Sequence, residues 1–302
     1  MELRHIRYFM AVAEEMNFTK AAEKLNIAQP PLSRQIKDLE EELGTELFER
    51  TSHSLHLTEA GILFKQYASQ MLEIEGRSKA DISKMSNSLK GIVYIATVSG
   101  YGPHMLAEWI EGFRKLHPDV AFDIWCGTTD EIVHRTHSGL CDIGIVMEPF
   151  SDPDIISEHI HSEPWAVIIP NSDPLSKKPG KKIKPQELAD KPLIIPSRAS
   201  RSGEFQKWMP DPEKPLNVAC KAAHMINVRE LAKAGIGIAI FPFAKGVMVD
   251  DEYVTVKAID HPEAIASYLL IKSRKRRISP ACEAFWEFAM NAVRPARTKK
   301  SY

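Results

Sequence analysis

The sequence predicts an α/β chain in three parts: a mostly helical segment over residues 1–58, a long helix and hinge over 59–90, and alternating strands and helices over 91–302. Three observations carry this. Apolar residues recur at helical spacing up to about residue 88, broken once by a short alternating stretch. From Gly91 the texture changes to short apolar runs separated by helical patterns and turn residues, the β-α-β-α-β rhythm of a parallel sheet covered by helices. With 302 residues, the chain is long enough for two or three domains.

The elements follow in order. Leu3, Ile6, Phe9, Met10 and Ala13 form the core stripe of a helix over residues 3–15, with Arg4, Arg7 and Glu14 toward solvent. Phe18, Ala21, Ala22 and Leu25 mark a second helix, for which Thr19 is the expected cap. Asn26 suits the left-handed backbone that stops a helix. The chain resumes at Ala28-Gln29-Pro30-Pro31. Proline is tolerated in a first helical turn, where its missing amide hydrogen would have no partner. Leu32, Ile36, Leu39 and Leu43 make one apolar stripe, and Gln29, Ser33, Arg34 and Lys37 occupy the opposite face. In a ribbon over residues 45–58, Leu55 and Leu57 alternate with Ser54 and His56, as in a half-buried strand.

Two short helices joined by a tight turn suit a major groove, where the start of the second helix meets base edges. Gln29 is then expected to bond an adenine edge, and Arg34 to hold a guanine through two parallel hydrogen bonds. Ser33 and Lys37 are placed for phosphates, which fix register. A polar stripe alone suits a solvated helix in an ordinary bundle equally well. Charge does not decide the matter, because the net charge is −1 and the first sixty residues balance at 7 − 11 = −4. The acids cluster at Glu14-Glu15 and over residues 38–49, which leaves Arg34, Lys37 and Arg50 free to share a face. With few phosphate contacts per subunit, useful affinity needs more than one subunit on one DNA.

The order and spacing of several motifs go further: Leu3-Arg4-His5-Ile6-Arg7-Tyr8-Phe9, Ala21-Ala22, Gln29-Pro30-Pro31-Leu32-Ser33-Arg34-Gln35-Ile36, Leu39-Glu40-Glu41-Glu42-Leu43-Gly44, Leu47-Phe48-Glu49-Arg50 and Leu57-Thr58-Glu59-Ala60-Gly61. Together they resemble the N-terminal signature of the LysR-type transcriptional regulators. The resemblance implies a winged helix-turn-helix whose DNA contacts come from Gln29, Pro30, Pro31, Ser33, Arg34, Lys37, Arg50 and His53. Two positions depart from the pattern. Ala28 stands where a hydroxyl cap is common, removing a bond of about 1 kcal/mol. His53 stands where a second wing arginine is common, which implies a weaker or pH-dependent wing contact.

Thr58 is the expected cap of the next helix, with Glu59 favourable in its first turn. Ile62, Leu63, Tyr67, Met71, Ile74 and Ile82 space out an apolar stripe, although Gly76 and the polar residues 77–84 weaken its end. A helix this long with a narrow stripe usually meets a partner helix. By resemblance it joins two subunits, and the assembly is a homodimer and then a homotetramer. Residues 86–91 read as a hinge into the next domain.

Beyond it, strands are expected at residues 92–98, 118–125, 141–146, 166–169, 193–195, 235–242 and 268–271, with helices at 104–117, 130–138, 227–234 and 280–293. Residues 113–120, 138–145 and 234–242 resemble the family's effector-binding domain, built like a periplasmic solute-binding protein. That implies two lobes, the first over about 91–160 and 267–302 and the second over about 161–266, with crossovers near 150–161 and 258–267.

Ligands in open α/β sheets sit at the carboxyl ends of strands. Helix N-termini there offer free amides to a carboxylate. Ser99, Gly100, Tyr101 and Gly102 follow the first strand, and Thr128 and Thr129 follow the second. By resemblance Met147, Pro196, Ser197 and Phe241 line the cleft, and Arg198 and Arg201 are placed to neutralise a carboxylate. The plainer readings are helix caps for Ser99, Thr128 and Thr129, a solvated Ser-rich loop around Arg198 and Arg201, and a solvated basic loop over 272–277. Gly235 and Gly237 read as turn and packing glycines rather than a phosphate loop.

The expected partners are double-stranded DNA, a small organic or aromatic carboxylate, further copies of the chain, and RNA polymerase. Neither a nucleophile elbow nor HExxH spacing occurs, so an enzyme is not expected. No cofactor or metal is expected; His134 and His137 offer only an adventitious site. There is no apolar run of transmembrane length and no signal-peptide pattern, so a cytoplasmic protein is expected rather than an exported solute-binding one. Cys126, Cys141, Cys220 and Cys282 form no CxxC pair and read as free thiols. The rival function is a thiol-based redox sensor of the same architecture, for which Cys126 and Cys220 are the candidates.

Overall fold

A computed structural model describes residues 1–50, 55–83, 89–244 and 250–293. The chain divides into two compact units, Met1–Met85 and Ser86–Tyr302.

The first unit runs α1 (Leu3–Glu15), α2 (Phe18–Lys24), α3 (Gln29–Leu43), β1 (Phe48–Arg50), β2 (Leu55–Leu57) and α4 (Glu59–Ser83). Helix α1 keeps the expected bounds, and Asn26 adopts the left-handed conformation expected of it, at φ 55°. The cap of α2 is Asn17, not Thr19: its Oδ1 accepts the amides of Thr19 at 2.9 Å and Lys20 at 3.0 Å. Either residue can cap a helix, and Asn17 does so because the backbone leaves the helix there, at φ −158°. Helix α3 starts at Ala28 without a side-chain cap and stops at Gly44, φ 70°. Glu40 Oε1 then accepts the amides of Leu47 and Phe48 at 2.8 and 3.1 Å, which ties the ribbon to α3.

Strands β1 and β2 pair antiparallel from Phe48↔Leu57 to Arg50↔Leu55. Thr58 Oγ1 accepts the Gly61 amide at 2.9 Å, the expected cap of α4. Gly61 is required there, since a Cβ would lie 2.1 Å from the Leu47 carbonyl oxygen. Phe9, Leu32, Ile36, Leu39, Leu47, Phe48, Phe64 and Ala68 form the core. Of the stripe expected on α4, Met71 packs against this core, but most of the rest faces away from it. Phe64 and Ala68 are buried, while Ile62, Leu63, Tyr67 and Ile74 are exposed.

The second unit runs β3 (Gly91–Thr97), α5 (Gly102–Leu116), β4 (Val120–Cys126), α6 (Thr129–His137), β5 (Ile143–Met147), β6 (Ile155–Pro170), β7 (Lys182–Ile183), β8 (Leu193–Pro196), α7 (Ala199–Trp208), β9 (Val218–Ala222), α8 (Met225–Lys233), β10 (Ile238–Pro242), β11 (Val254–Ile259), β12 (Ile265–Ser273) and α9 (Pro280–Val293). The strand order is β4-β3-β5-β12-β6-β10-β8-β9. Strands β4, β3 and β5 are parallel, as are β10, β8 and β9, so each lobe has the expected parallel core. The crossover strands β12 and β6 pair antiparallel with each other and with their neighbours in both lobes.

The two expected crossovers run as strands. Residues 155–161 begin β6, which pairs with β12 as far as Pro164 and then with β10 and β11, so the chain changes lobe within this strand. Its first half carries exposed Ser, Glu and His, so the sequence does not look like a strand. Much of the second expected crossover is likewise strand, the end of β11 and the start of β12. The Ser-rich segment after Arg198 is helix α7, because Phe205 and Trp208 are buried against Trp165, with ring centroids 4.9 and 6.1 Å from it. Residues 235–237 precede their strand as a turn, Gly235 at φ 76° and Gly237 pressed against the Pro192 carbonyl.

The basic residues 272–277 end β12 and continue as a loop in which Arg274, Lys275 and Arg277 are exposed, as expected, although several of its cations are paired. Lys272 pairs with Glu283 at 2.8 Å over the Trp286 ring, and Lys275 pairs with Asp154 at 2.5 Å. Arg276 pairs with Asp142 at 2.5 Å and donates to the Gly139 and Cys141 carbonyls beyond the end of α6.

Candidate nucleic-acid interface and ligand cleft

On the first unit, Gln29, Pro30, Ser33, Arg34 and Lys37 of α3 line one open groove with Gly44, Thr45 and Phe48, and the carboxylates Glu40, Glu41 and Glu46 line its other end. Helical spacing brings these side chains to one side because Leu32, Ile36 and Leu39 are fully buried on the other. Pro31 is exposed at the start of the helix. Arg34 is exposed, and Lys37 makes a solvent-facing contact with Glu41 at 3.4 Å. Such a surface pair is worth little, so Lys37 is available to a phosphate. Arg50 ends β1; His53 lies outside the described residues.

In the second unit a cleft, partly open to solvent, lies between the lobes at the carboxyl ends of the strands. Eight expected residues meet there: Ser99, Thr128, Thr129, Met147, Pro196, Ser197, Arg198 and Phe241. Val98, Gly127, Trp165, Ala223 and Pro242 complete the lining and were not expected. Each follows or ends a strand except Trp165, which sits at mid-length in β6 and becomes visible only once that strand is seen to cross between the lobes.

Gly100, Tyr101 and Gly102 lie outside this lining. The Tyr101 ring stacks on His161 at 4.4 Å, and its amide donates to the Tyr268 hydroxyl at 3.3 Å. Tyr268 in turn donates to the buried Glu163 at 2.8 Å. Gly100 takes φ 101°, and Gly102 starts α5 where a Cβ would lie 2.5 Å from Thr97 Oγ1. These residues shape the loop beside the cleft.

The cleft hydroxyls are partly committed. Thr128 caps α6 in a reciprocal box with Glu131, whose Oε2 accepts the Thr128 amide and hydroxyl at 2.7 Å each. Thr129 Oγ1 lies 3.2 Å from both the amide and the carbonyl of Met147, which fixes α6 to the end of β5. Capping and lining thus coincide in these residues. Ser99 Oγ meets His224 Nδ1 of the opposite lobe at 3.3 Å. Arg198 is not solvated: it reaches Asp130 at 2.7 and 3.1 Å and the Pro149 carbonyl at 2.8 Å. Arg201 lies in the first turn of α7.

Cys126 is exposed beside the cleft, its Sγ 3.8 Å from Ser99 Oγ. Burial pushes the Cys141 thiol up to about 11, and burial with the nearby Asp142 charge pushes Cys282 up to about 12. At pH 8 a thiol of pKa 11 is ionised only about once in a thousand molecules. Iodoacetamide at that pH is therefore expected to label Cys126 in the folded protein and to spare Cys141 and Cys282 until denaturant is added. Peptide mass spectrometry reads this, and labelling of Cys282 without denaturant would contradict its burial. His137 pairs with Asp152 at 2.8 Å, and among the described residues no group of three or more His, Cys, Asp or Glu is placed to hold a metal ion. Among the same residues, no helix is long and apolar enough to cross a membrane.

Two family models match. The bacterial regulatory helix-turn-helix protein model of the lysR family covers residues 3–62, and the LysR substrate binding domain model covers 86–294. The HTH-type transcriptional regulator AlsR of Bacillus subtilis is 30% identical over 304 residues, spanning 100% of this chain and 99% of that protein. A probable cat1 operon transcriptional activator of Acinetobacter lwoffii is 34% identical over 280 residues, 89% of each chain. Full-length CbnR complexed with its target DNA superposes with a TM-score of 0.75 at 25% identity, covering 97% of this chain and 100% of that one. Full-length BenM superposes with a TM-score of 0.57 at 29% identity, covering 97% and 96%.

Proposed function

The chain belongs to the LysR family of bacterial helix-turn-helix transcriptional regulators, and from that premise we propose a division of labour between its units. Helix α3 reads operator DNA, and the cleft takes a small organic or aromatic carboxylate that controls the reading. One observation carries the proposal: the exposed polar face of α3 and the interlobe cleft occur in one chain, each built from residues of the family pattern. Gln29 and Arg34 meet base edges, Ser33 and Lys37 meet phosphates, and Pro30 and Pro31 start the helix at the groove. Arg50 and His53 contact DNA from the ribbon. That CbnR has been solved on its target DNA supports the assignment.

The exposed stripe of Ile62, Leu63, Tyr67 and Ile74 on α4 joins two subunits, and dimers pair into a tetramer. In this reading residues 1–58 are the DNA-binding domain, 59–90 the linker and 91–302 the effector-binding domain. The protein acts in the cytoplasm, on promoters engaged by RNA polymerase. A ligand changes the output only through unequal affinity for two arrangements of the assembly.

The test is retention of a labelled fragment from upstream of its own gene, at modest ionic strength because phosphate contacts weaken steeply with salt. Binding that survives excess nonspecific DNA is the expected result; failure on every promoter fragment tried overturns the proposal. A parallel thermal-shift screen of the full chain against carboxylates is expected to raise the melting temperature of the second unit.

A further inference from the structure

Arg198 stands at the start of α7 in one lobe, and its guanidinium is occupied by the other lobe. Nε and Nη2 approach the two carboxylate oxygens of Asp130 at 3.1 and 2.7 Å, the two-pronged geometry with which arginine holds a carboxylate. Nη1 donates to the carbonyls of Pro149 at 2.8 Å and Met147 at 3.4 Å. The partners differ in their access to water: the Arg198 side chain is 17% exposed and that of Asp130 66%. The cation is therefore part of the cleft wall, beside Met147, Trp165 and Phe241, while the anion covers it from outside.

We infer that Asp130 is a built-in pseudo-ligand, which holds the carboxylate seat on Arg198 until an effector with one carboxylate and an apolar body expels it. The inference rests on the reading of the cleft as an effector site and adds the group that selects the ligand. The exchange is favourable for three reasons. Arg198 keeps a carboxylate partner before and after, so no half-buried guanidinium is left unpaired. Asp130 is already mostly solvated and swings into water with little to lose. The walls offered to the rest of the ligand are largely apolar, which suits an uncharged, apolar body rather than a second anionic group.

The exchange also carries a signal. The Asp130–Arg198 contact bridges α6 of one lobe to α7 of the other, so its loss removes a direct tie between them. A ligand that must break this tie favours the arrangement in which it is broken.

The test uses the full chain and an isosteric probe pair, benzoate and neutral benzamide, with binding read by calorimetry and thermal shift. Asp130→Ala vacates the seat, and Asp130→Asn keeps the shape while removing the charge. Both variants are expected to bind benzoate about tenfold more tightly than the parent chain and to leave benzamide unchanged. Adding Arg198→Gln to Asp130→Ala is expected to abolish the gain. The inference is overturned if benzoate and benzamide respond alike to Asp130→Ala, or if benzoate fails to bind that variant at millimolar concentration. A compound that stabilises the parent chain and Arg198→Gln equally overturns it too, yet leaves the cleft standing as an effector site.

Discussion

Phe9→Ala is expected to destabilise the N-terminal unit by about 3–5 kcal/mol, a large part of what a unit of this size holds in reserve. Phe9 is 0% exposed. Its ring lies 5.3 Å from that of Phe48 in β1 and 4.8 Å, edge-on, from that of Phe64 in α4. One side chain of α1 therefore ties the ribbon and the long helix to the helical core. Alanine removes the buried ring and leaves a cavity that three separate elements cannot easily close. The two aromatic contacts add about 0.5–1.5 kcal/mol each beyond area burial. For so small a unit each kcal/mol moves the midpoint by about 4–8 °C, so its transition falls by roughly 12 °C or more. Calorimetry of the full chain reads this, because the second unit has its own core and is expected to melt where it did before. Phe9→Leu keeps most of the volume and is expected to lose far less. A Phe9→Ala chain melting within a couple of degrees of the parent would show that the cavity collapses.

What the sequence disclosed, and what it withheld, follows from how local each cause is. The helices α1 and α3 were legible because one apolar stripe marks each; that Met16 and Gly44 take left-handed backbone where the stripes end is seen only in the structure. The cap of α2 was misplaced because Asn17 and Thr19 have the same chemistry, and only the backbone chooses between them. Strand β6 was half hidden because Glu158, His159 and Ser162 face outward on a crossover with little cover, so no apolar run marks it. Helix α7 was hidden because Phe205 and Trp208 have a partner, Trp165, about forty residues earlier in the chain. Of the cleft lining, Ser99, Thr128 and Thr129 were expected because they follow strand ends, while Met147, Pro196, Ser197 and Phe241 were expected only from the family resemblance. The state of Arg198 was not, since its carboxylate partner lies 68 positions away.

Arg34→Ala is expected to weaken operator binding by about 1–3 kcal/mol per contacted guanine, or roughly 5- to 150-fold, and to relax preference at that base. Folding is not at stake. Arg34 is exposed, while Leu32, Ile36 and Leu39 hold α3 to the core with no exposed surface. Alanine is also a better helix former, so α3 stays intact. Lys37→Ala serves as the comparison, because a phosphate contact carries no sequence information. It is expected to weaken cognate and scrambled DNA alike and to lower the slope of log affinity against log salt by about one. The two variants thus separate along different axes: base preference for Arg34, salt dependence for Lys37. Competition titrations on single-base operator variants at fixed ionic strength measure the first axis, and a salt series measures the second. Retained affinity and unchanged base preference in Arg34→Ala would remove Arg34 from the readout and leave Gln29 as the residue of α3 placed to read a base.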